Sequence, residues 1–329
     1  MFLREENELF DQIVSLENLF EAWKKFCRGK RSKIDVMEFE YHLEDNLFAI
    51  RQSLVEESYC HDPYQPFTIL DPKQRNIHKA TVRDRVVHQV VVNSIEPLFE
   101  RQFIYDSYSC RVNKGTHAAV KRLRVLLQQE TANHTKLIYA LKCDVRKFFA
   151  SVDHEILISL LERRIKDRKV IRLLRGIISS FSMPAGKGLP LGNLTSQLFA
   201  NVYLHELDHY VKQDLRVRSY LRYCDDFVIL MPSRSAALDL AERINVFLVG
   251  RLQLQLHPNK VTVRTWKQGI DFVGYILLPH ATILRTKTVK RILRCTTLEN
   301  FPSYSGFCEH ANAHEINQIL QIKAFSTPQ

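Results

Sequence analysis

One stretch, residues 219–230, limits what this chain can fold into more than any other. Two apolar, β-prone runs lie on either side of an adjacent acidic pair, Asp225-Asp226. This pattern predicts a β-hairpin with the carboxylates at its tip. Because adjacent like charges repel, an ionised pair at a half-buried turn needs an external cation, and Mg²⁺ prefers such oxygen ligands. An ordinary solvated turn is the alternative that this stretch alone leaves open.

A third acid stands far upstream of this pair. Residues 136–144 form a strand-like run that ends in Asp144, and Asp153 opens a segment with helical apolar spacing. An acid at the end of a central strand can face an acidic hairpin on the neighbouring strand. Three carboxylates would then converge on one or two metal ions, which is the arrangement used for nucleotidyl transfer.

Two segments, Asp144-Val-Arg-Lys-Phe-Phe149 and Tyr223-Cys-Asp-Asp226, resemble the A and C motifs of reverse transcriptases. The resemblance runs over residues 60–310, with several motifs in the family's order. It implies an α+β, right-hand polymerase fold with fingers, a ferredoxin-like palm and a short helical thumb. It also implies two Mg²⁺ ions, with Mn²⁺ as a substitute, held by Asp144, Val145, Asp225 and Asp226.

The same resemblance implies a division of the chain into four regions. We expect an N-terminal helical cap (1–60), fingers (61–135), a palm (136–280, with finger-proximal elements around 165–190) and a thumb (281–329). Within the cap, apolar spacing predicts one helix over 7–27 and a second that starts at Asp35, with Glu38 completing a capping box.

Basic residues of the expected fingers are candidates for binding the incoming triphosphate. A hairpin over residues 68–77 presents Lys73 and Arg75, and Arg111 begins the next basic stretch. Guanidinium groups suit phosphate oxygens, although solvated turn residues are the alternative for the hairpin pair. By resemblance, Phe149 packs against the sugar and excludes a 2′-hydroxyl, so that deoxynucleotides are selected.

A glycine-rich segment before a long predicted helix matches the family's B motif, which forms the floor of the nascent base pair. Glycine before a helix lets backbone approach a ligand closely. Most reverse transcriptases have Gln-Gly-x-x-x-Ser-Pro in this motif, whereas this chain has Leu191-Gly192-x-x-x-Ser196-Gln197. That version resembles the reverse transcriptases of diversity-generating retroelements. They copy a template-repeat RNA into cDNA with frequent errors at adenines, and a basic, pentameric accessory variability protein assists them.

Residues after the acidic hairpin are expected to hold the primer and template. Lys260 resembles the D-motif lysine that protonates pyrophosphate, with a solvated lysine as the alternative. By resemblance, Tyr223 contacts the primer, and Gly274 and Tyr275 grip its end. A basic amphipathic helix over 285–294 would lie along the duplex backbone, through the side chains of Lys287, Lys290, Arg291 and Arg294.

Composition is consistent with this assignment. The 329 residues carry a formal net charge of +11, which favours a polyanionic partner. No apolar run is long enough for a membrane span, and the acidic N-terminus does not resemble a secretory signal. Seven scattered cysteines without a Cys-x-x-Cys pair suit a reduced cytoplasm, and the resemblance implies a bacterial or phage-encoded chain. The spacing of Cys308, His310 and His314 is interpreted as structural rather than metal-binding.

By resemblance, we expect the partners to be the template-repeat RNA, an RNA/cDNA duplex, deoxynucleoside triphosphates and the accessory protein. Two alternatives remain open from the sequence. One is a retron, group II intron-like or defence-associated reverse transcriptase. The other is a palm-fold RNA-binding protein without catalysis, which the presence of all three aspartates disfavours.

Overall fold

The computed structural model describes residues 8–70 and 74–326. Lys73 therefore lies outside the described residues. The chain forms two compact units and passes between them repeatedly, so that each unit is discontinuous in sequence. The first unit comprises the chain up to Ile104, then Arg146–His209 and Phe247–Gln255; the second comprises Tyr105–Val145, Tyr210–Val246 and the chain from Leu256 onward.

Helices outnumber strands in the described part of the chain. The helices are α1 (Glu8–Ile13), α2 (Leu16–Phe26), α3 (Ile34–Tyr41), α4 (Leu43–Val55), α5 (Val82–Glu100), α6 (Thr116–Glu130), α7 (Phe148–Ser151), α8 (His154–Glu162), α9 (Arg168–Ser179), α10 (Leu194–His209), α11 (Arg234–Leu252), α12 (Thr286–Cys295), α13 (Phe301–Glu309) and α14 (His314–Ser326). The strands are β1 (Gln65–Ile69), β2 (Arg75–Lys79), β3 (Tyr139–Asp144), β4 (Tyr220–Tyr223), β5 (Asp226–Met231), β6 (Thr262–Thr265), β7 (Ile270–Phe272), β8 (Tyr275–Leu277) and β9 (Thr282–Leu284). None of the described helices is long and apolar enough to cross a membrane.

Helix α5 is the centre of the first unit. Thr81 caps it by accepting a hydrogen bond from the Asp84 amide, and its valines are buried almost completely. Helices α1, α2, α3, α4 and α10 all pack against it. The β1–β2 hairpin belongs to the same unit, with Ile69 opposite Arg75, so the hairpin predicted over 68–77 is confirmed.

Three helix predictions need correction, and side-chain capping explains two of them. The helix expected over 7–27 is two helices, because the Ser15 side chain accepts a bond from Asn18 and starts α2. The helix expected over 153–168 ends at Glu162 instead, because Asp167 caps a new helix, α9. The capping box expected at Asp35 is wrong: this carboxylate lies inside α3 and pairs with Lys79 and Arg85 instead.

The second unit contains two antiparallel sheets. The larger has the strand order β4-β5-β3-β6, and the smaller has the order β7-β8-β9. Side chains of β5 are buried on both faces of the larger sheet, which makes it a central strand. A continuous apolar core joins the smaller sheet to α6 and to the region of α12, α13 and α14. The predicted α+β class is confirmed.

Candidate active site

The three predicted carboxylates lie at one edge of the larger sheet in the second unit. Asp144 ends β3 and is the register partner of Asp226, which begins β5. Asp225 lies in the turn between β4 and β5, after Cys224, whose φ is 55°. The amide of Val145 donates to the Asp225 carbonyl oxygen at 3.1 Å, which ties the hairpin turn to the end of β3. Asp144 and Asp226 are therefore neighbours in the sheet, with Asp225 in the adjoining turn, and their joint role as metal ligands stays a prediction.

The electrostatics of this edge are unfavourable for three negative charges. Loss of solvation raises the pKa of Asp226 to about 7, even though the Lys142 ammonium opposes the change. Desolvation and the charge of Asp144 also raise the pKa of Asp225. One oxygen of Asp226, Oδ1, is buried without a hydrogen-bond partner. A group of carboxylates in this state favours the arrival of a cation.

Two lysine side chains neutralise part of the negative charge of these carboxylates. The Lys142 ammonium lies 3.2 Å from Asp226 Oδ2, and the Lys260 ammonium donates to Asp144 Oδ1 at 2.8 Å. Lys260 was predicted from the D motif, and the structure brings it to the carboxylates. Lys142 was not predicted. The sequence pattern could have identified it, because side chains two residues apart on a strand point to the same face. Lys142 precedes Asp144 by two residues.

Asp144, Asp225 and Asp226 are chemically suited to bind a divalent cation. All three side chains offer oxygen ligands, of the kind that Mg²⁺ and Mn²⁺ bind, and the partnerless oxygen of Asp226 is available. Within the described residues, no group of three or more His, Cys, Asp or Glu side chains already converges as in a formed metal site. Lysine ammonium groups instead lie against Asp144 and Asp226.

Arg222 is a second residue that the sequence did not single out. Its side chain is completely buried, and its guanidinium donates to the Cys224 carbonyl oxygen at 3.1 Å, within the acidic turn. Its backbone exchanges hydrogen bonds with the segment at Asp106 and Tyr108. A buried cation that binds the carbonyl of a left-handed residue stabilises the turn. No spacing rule identifies such a residue, since a strand arginine is usually exposed.

Other predicted residues of the second unit have identifiable surroundings. The Tyr223 hydroxyl accepts a hydrogen bond from Thr116 at 3.2 Å, and the Arg111 guanidinium donates to the Ser107 carbonyl oxygen at 2.9 Å. The turn at Gly274 has φ 96° and receives hydrogen bonds from Arg285 and Thr288.

The Tyr275 ring differs from its predicted surroundings. It is fully buried, it stacks on Phe307, and its hydroxyl donates to the Phe307 carbonyl oxygen. The ring is therefore part of the core, and a primer contact remains a prediction for the backbone of the turn.

The basic helix expected over 285–294 is α12. Thr288 and Ile292 are its buried side chains, and the opposite side exposes three cations at helical spacing, Lys287, Lys290 and Arg294. Arg291 is half-buried, and its guanidinium carbon lies 5.9 Å from the centre of the Phe307 ring. Contact with a duplex stays a prediction for the exposed three.

Hydrogen bonds join the segments of the first unit that carry predicted nucleotide-pocket residues. The Leu191 carbonyl accepts from the His78 amide of β2 at 3.1 Å, and the Asn193 side chain donates to the His78 carbonyl at 2.9 Å. The Leu189 amide donates to the Phe149 carbonyl oxygen at 2.7 Å. The segment before α10 is thus bound both to the hairpin that carries Arg75 and to the predicted sugar-contacting residue.

Exposure of these side chains differs. Phe149 is half-buried, whereas Arg75 and Gln197 are exposed and Ser196 is buried. Gly192 has φ 103°, and a Cβ atom there would lie 2.8 Å from the Ile77 side chain. Only glycine satisfies both constraints.

A family model described as reverse transcriptase (RNA-dependent DNA polymerase) matches residues 70–277, which include the acidic hairpin and the segment before α10. The chain belongs to the reverse transcriptase family. The predicted RNA-directed DNA polymerase class is confirmed by this match.

Individual relatives agree with the family assignment. Protein YkfC of Escherichia coli K12 is 25% identical over 70% of this chain and 72% of its own length. The group II intron-encoded protein LtrA of Lactococcus lactis is 22% identical over 75% of this chain, which spans about half (51%) of that relative.

Solved structures of low sequence identity share the fold. A telomerase from Candida albicans, in complex with a fragment of telomeric RNA, matches 82% of this chain and 56% of its own, with a TM-score of 0.54 and 12% identity. An apo telomerase from Candida tropicalis matches with a TM-score of 0.50, over 74% of this chain and 60% of its own, at 10% identity. The predicted polymerase-type fold is confirmed by this likeness.

Proposed function

We propose that this chain extends a DNA primer on an RNA template, with Asp144, Asp225 and Asp226 as the catalytic carboxylates. The observation that supports the proposal most is the register between β3 and β5, in which Asp144 is the partner of Asp226. Membership of the reverse transcriptase family supports the same activity.

The reaction forms a bond between the primer 3′-oxygen and the α-phosphorus of a deoxynucleotide and breaks the bond to pyrophosphate. The three carboxylates and the Val145 carbonyl would hold two divalent ions, which would supply the Lewis acidity for activating the hydroxyl and neutralising the leaving group. Lys260 holds a proton on its ammonium group 2.8 Å from Asp144. We assign that group the protonation of the departing pyrophosphate.

The nucleotide contacts are proposed from the resemblance. Lys73 and Arg75 balance the triphosphate charge, as cationic side chains do well, and Arg111 is a candidate for the same role by resemblance. Phe149 packs against the sugar and leaves no room for a 2′-hydroxyl. The exposed Gln197, the loop at Gly192 and the buried Ser196 are the residues proposed to contact the nucleotide and its base pair.

Primer extension on an RNA template tests this proposal directly. The wild-type chain should extend the primer only with Mg²⁺ or Mn²⁺, and Phe149→Val should raise the use of ribonucleotides by about 10²-fold. A palm-fold RNA-binding protein without catalysis would retain the template and produce no extension under either condition.

We further propose that the enzyme copies a template-repeat RNA with errors at adenine. Leu191 stands where most reverse transcriptases have glutamine, and its side chain offers only dispersion contacts to a nucleotide. Its backbone carbonyl is engaged by His78, so the residue is fixed in position. A correctly paired nucleotide would therefore lack a polar contact at this position, which lowers discrimination between correct and incorrect base pairs.

The error spectrum of the cDNA tests this second step. On an adenine-rich RNA, wild type should misincorporate mainly opposite adenine, and Leu191→Gln should reduce that misincorporation by about tenfold. Leu191→Met is the matched apolar control. Faithful copying by wild type would favour the group II intron-like alternative, which the likeness to LtrA supports.

An accessory protein partner is also proposed, and one surface suits it. Helix α3 exposes Ile34, Met37 and Tyr41 along one side, and residues 34–57 contain seven acidic residues and one arginine in a chain of net charge +11. Asp35, Glu40 and Glu57 are paired with basic side chains, and the other four acids, close in sequence to the apolar anchors, would favour a basic protein over nucleic acid. The double substitution Ile34→Ser and Tyr41→Ser should weaken binding to the purified accessory protein and leave primer extension unchanged.

A further inference from the structure

Two cysteines of the second unit, Cys110 and Cys224, lie on neighbouring segments and have no assigned role. Both are free thiols. Ser107 and Arg222 form an isolated parallel bridge, which two backbone hydrogen bonds of 2.9 Å hold together. From this bridge both chains run in the same direction, and each reaches a cysteine within three residues. A parallel bridge keeps two chains about 4.8 Å apart, inside the range of about 4.4–6.8 Å that a disulfide requires between Cα atoms.

Both cysteines lie where the chain leaves the extended conformation. Each has φ 55°, in the left-handed region that residues other than glycine rarely adopt. The Arg222 guanidinium holds one turn by donating to the Cys224 carbonyl oxygen at 3.1 Å. The Gly115 amide closes the loop that contains Cys110 by donating to the Tyr108 carbonyl oxygen at 2.9 Å. Residues held in this conformation by their surroundings concentrate at functional sites and switch regions.

Electrostatic effects also indicate that the two sulfur atoms are close together. Burial raises the pKa of the Cys224 thiol, the Asp225 charge raises it further, and Cys110 acts in the same direction. Because the effect of a charge falls with distance, Cys110 lies near Cys224. The Cys224 thiol also hydrogen-bonds to the Asp225 carboxylate, which opposes the rise in pKa that desolvation causes there. A chemical change at this sulfur therefore acts directly on a proposed catalytic carboxylate.

The two thiols differ in exposure, which sets the order in which they react. Cys110 is exposed, whereas Cys224 is partly buried in the acidic turn. An oxidant in solution therefore meets Cys110 first and finds a second thiol beside it. An exposed thiol next to a second cysteine that can resolve the oxidised form is the arrangement of redox-sensitive sites. The other exposed cysteine, Cys60, belongs to the first unit.

We propose that Cys110 and Cys224 form a reversible disulfide on exposure to a peroxide, and that this bond inactivates the candidate active site. Hydrogen peroxide oxidises the Cys110 thiol to a sulfenic acid and is itself reduced to water. The Cys224 sulfur then attacks the Cys110 sulfur: the S–S bond forms, the S–O bond breaks, and the leaving hydroxide takes up the thiol proton as water. Asp225 loses the hydrogen bond from the thiol, and the acidic turn becomes tied to the segment of Cys110. The loss of activity rests on the proposed function, whereas formation of the bond does not.

Mass spectrometry of the full chain after treatment with hydrogen peroxide tests the bond directly. Under non-reducing conditions, wild type should give a peptide pair linked through Cys110 and Cys224, and dithiothreitol should remove the link. The variant Cys110→Ser should give no linked pair. The variant Cys60→Ser, which lacks the other exposed thiol, is the matched control and should give the same linked pair as wild type. Oxidation of Cys110 to a sulfinic or sulfonic acid without a linked pair in wild type would overturn the proposal.

Primer extension then measures the consequence for the candidate active site. Peroxide should reduce extension by wild type and by Cys60→Ser about 10²-fold, because small displacements of catalytic groups have effects of this size, and dithiothreitol should restore it. The variant Cys110→Ser should extend as reduced wild type does and should resist peroxide. An equal loss of extension in Cys110→Ser and wild type would overturn the proposed inactivation by the disulfide. If the reduced chain extends no primer, the proposed function fails, and the mass measurement still decides whether the disulfide forms.

Discussion

Asp225 is the least compensated charge at the candidate site. Lys142 pairs with Asp226 and Lys260 pairs with Asp144, whereas Asp225 forms no ion pair within the described part of the chain. Its pKa is raised by desolvation and by the neighbouring Asp144. A desolvated carboxylate of this kind destabilises the fold, which agrees with the catalytic role proposed for Asp225.

The substitution Asp225→Asn should separate the effect of this carboxylate on catalysis from its effect on stability. Primer extension should fall on the order of 10³-fold, because a metal ligand is lost. The free energy of unfolding, measured by urea denaturation without metal, should rise by roughly 1 kcal/mol, because a desolvated charge is removed. A large loss of stability would show instead that the carboxylate holds the turn together.

His88 gives the chain a defined sensitivity to acid. Its ring is buried with neither nitrogen hydrogen-bonded, and burial, together with repulsion from His61 and Arg85, lowers its pKa from 6.5 to about 3. The folded state therefore binds fewer protons than the unfolded state between these values.

Stability should consequently decrease as the pH falls from about 6.5 towards 3, with this group contributing about 1.4 kcal/mol per pH unit. Urea denaturation across this range should have a slope smaller by one proton in His88→Phe. His42→Phe, at an exposed position, should retain the wild-type slope.

Residues of the candidate site could be predicted where they follow a recognisable sequence pattern. Asp144 and the Asp225-Asp226 pair follow from strand-like runs that end in acids, and Lys142 could have been found from strand alternation. Arg222 could not, because its burial depends on a carbonyl oxygen exposed by a left-handed turn at Cys224. Tertiary hydrogen bonding of this kind leaves no periodic signal.

Among the secondary-structure elements, α12 is the one whose amphipathic sequence pattern corresponds most directly to an exposed basic surface. Alternation of buried and basic positions predicted an amphipathic helix, and the helix is present with Ile292 buried and Lys287, Lys290 and Arg294 exposed. Helix ends were harder to predict. Ser15 and Asp167 begin new helices where the apolar spacing continues, because a capping side chain outweighs periodicity.

Replacing Lys287, Lys290 and Arg294 by glutamine should weaken binding to an RNA/DNA duplex and flatten its salt dependence. Each lost phosphate contact should reduce the slope of log affinity against log salt by about 0.7–0.9. The same change at Lys24, Arg28 and Lys33, exposed in the first unit, is the charge-matched control. Equal slopes in the two triple variants would remove α12 from the duplex interface.

For the molecule as a whole, sequence motifs predicted the fold class and the family better than they predicted how the chain is divided. The sheet order β4-β5-β3-β6 joins strands that are far apart in sequence, and each compact unit is assembled from separate segments. Motifs are local, whereas the division into units depends on which distant segments pack together. The fingers, palm and thumb boundaries therefore stay predictions.

Metal binding should be measurable as an increase in the free energy of unfolding of the chain. Because Asp225 forms no ion pair within the described residues, Mg²⁺ or Mn²⁺ at about ten times its dissociation constant should stabilise the fold by about 1.4 kcal/mol. Thermal unfolding with and without the ion measures this increase, and Asp225→Asn should abolish most of it. An identical increase in the variant would indicate that the ion binds elsewhere.

The hydrogen bonds from His78 to Leu191 and Asn193 have a mechanical consequence. Because the β1–β2 hairpin is fastened to the loop before α10, any swing of the hairpin over a bound nucleotide must pull that loop along. The lid and the floor of the nucleotide pocket would then respond together, so a change made in one should alter the dynamics of the other. Hydrogen exchange at the amide of His78 is the place to observe this coupling.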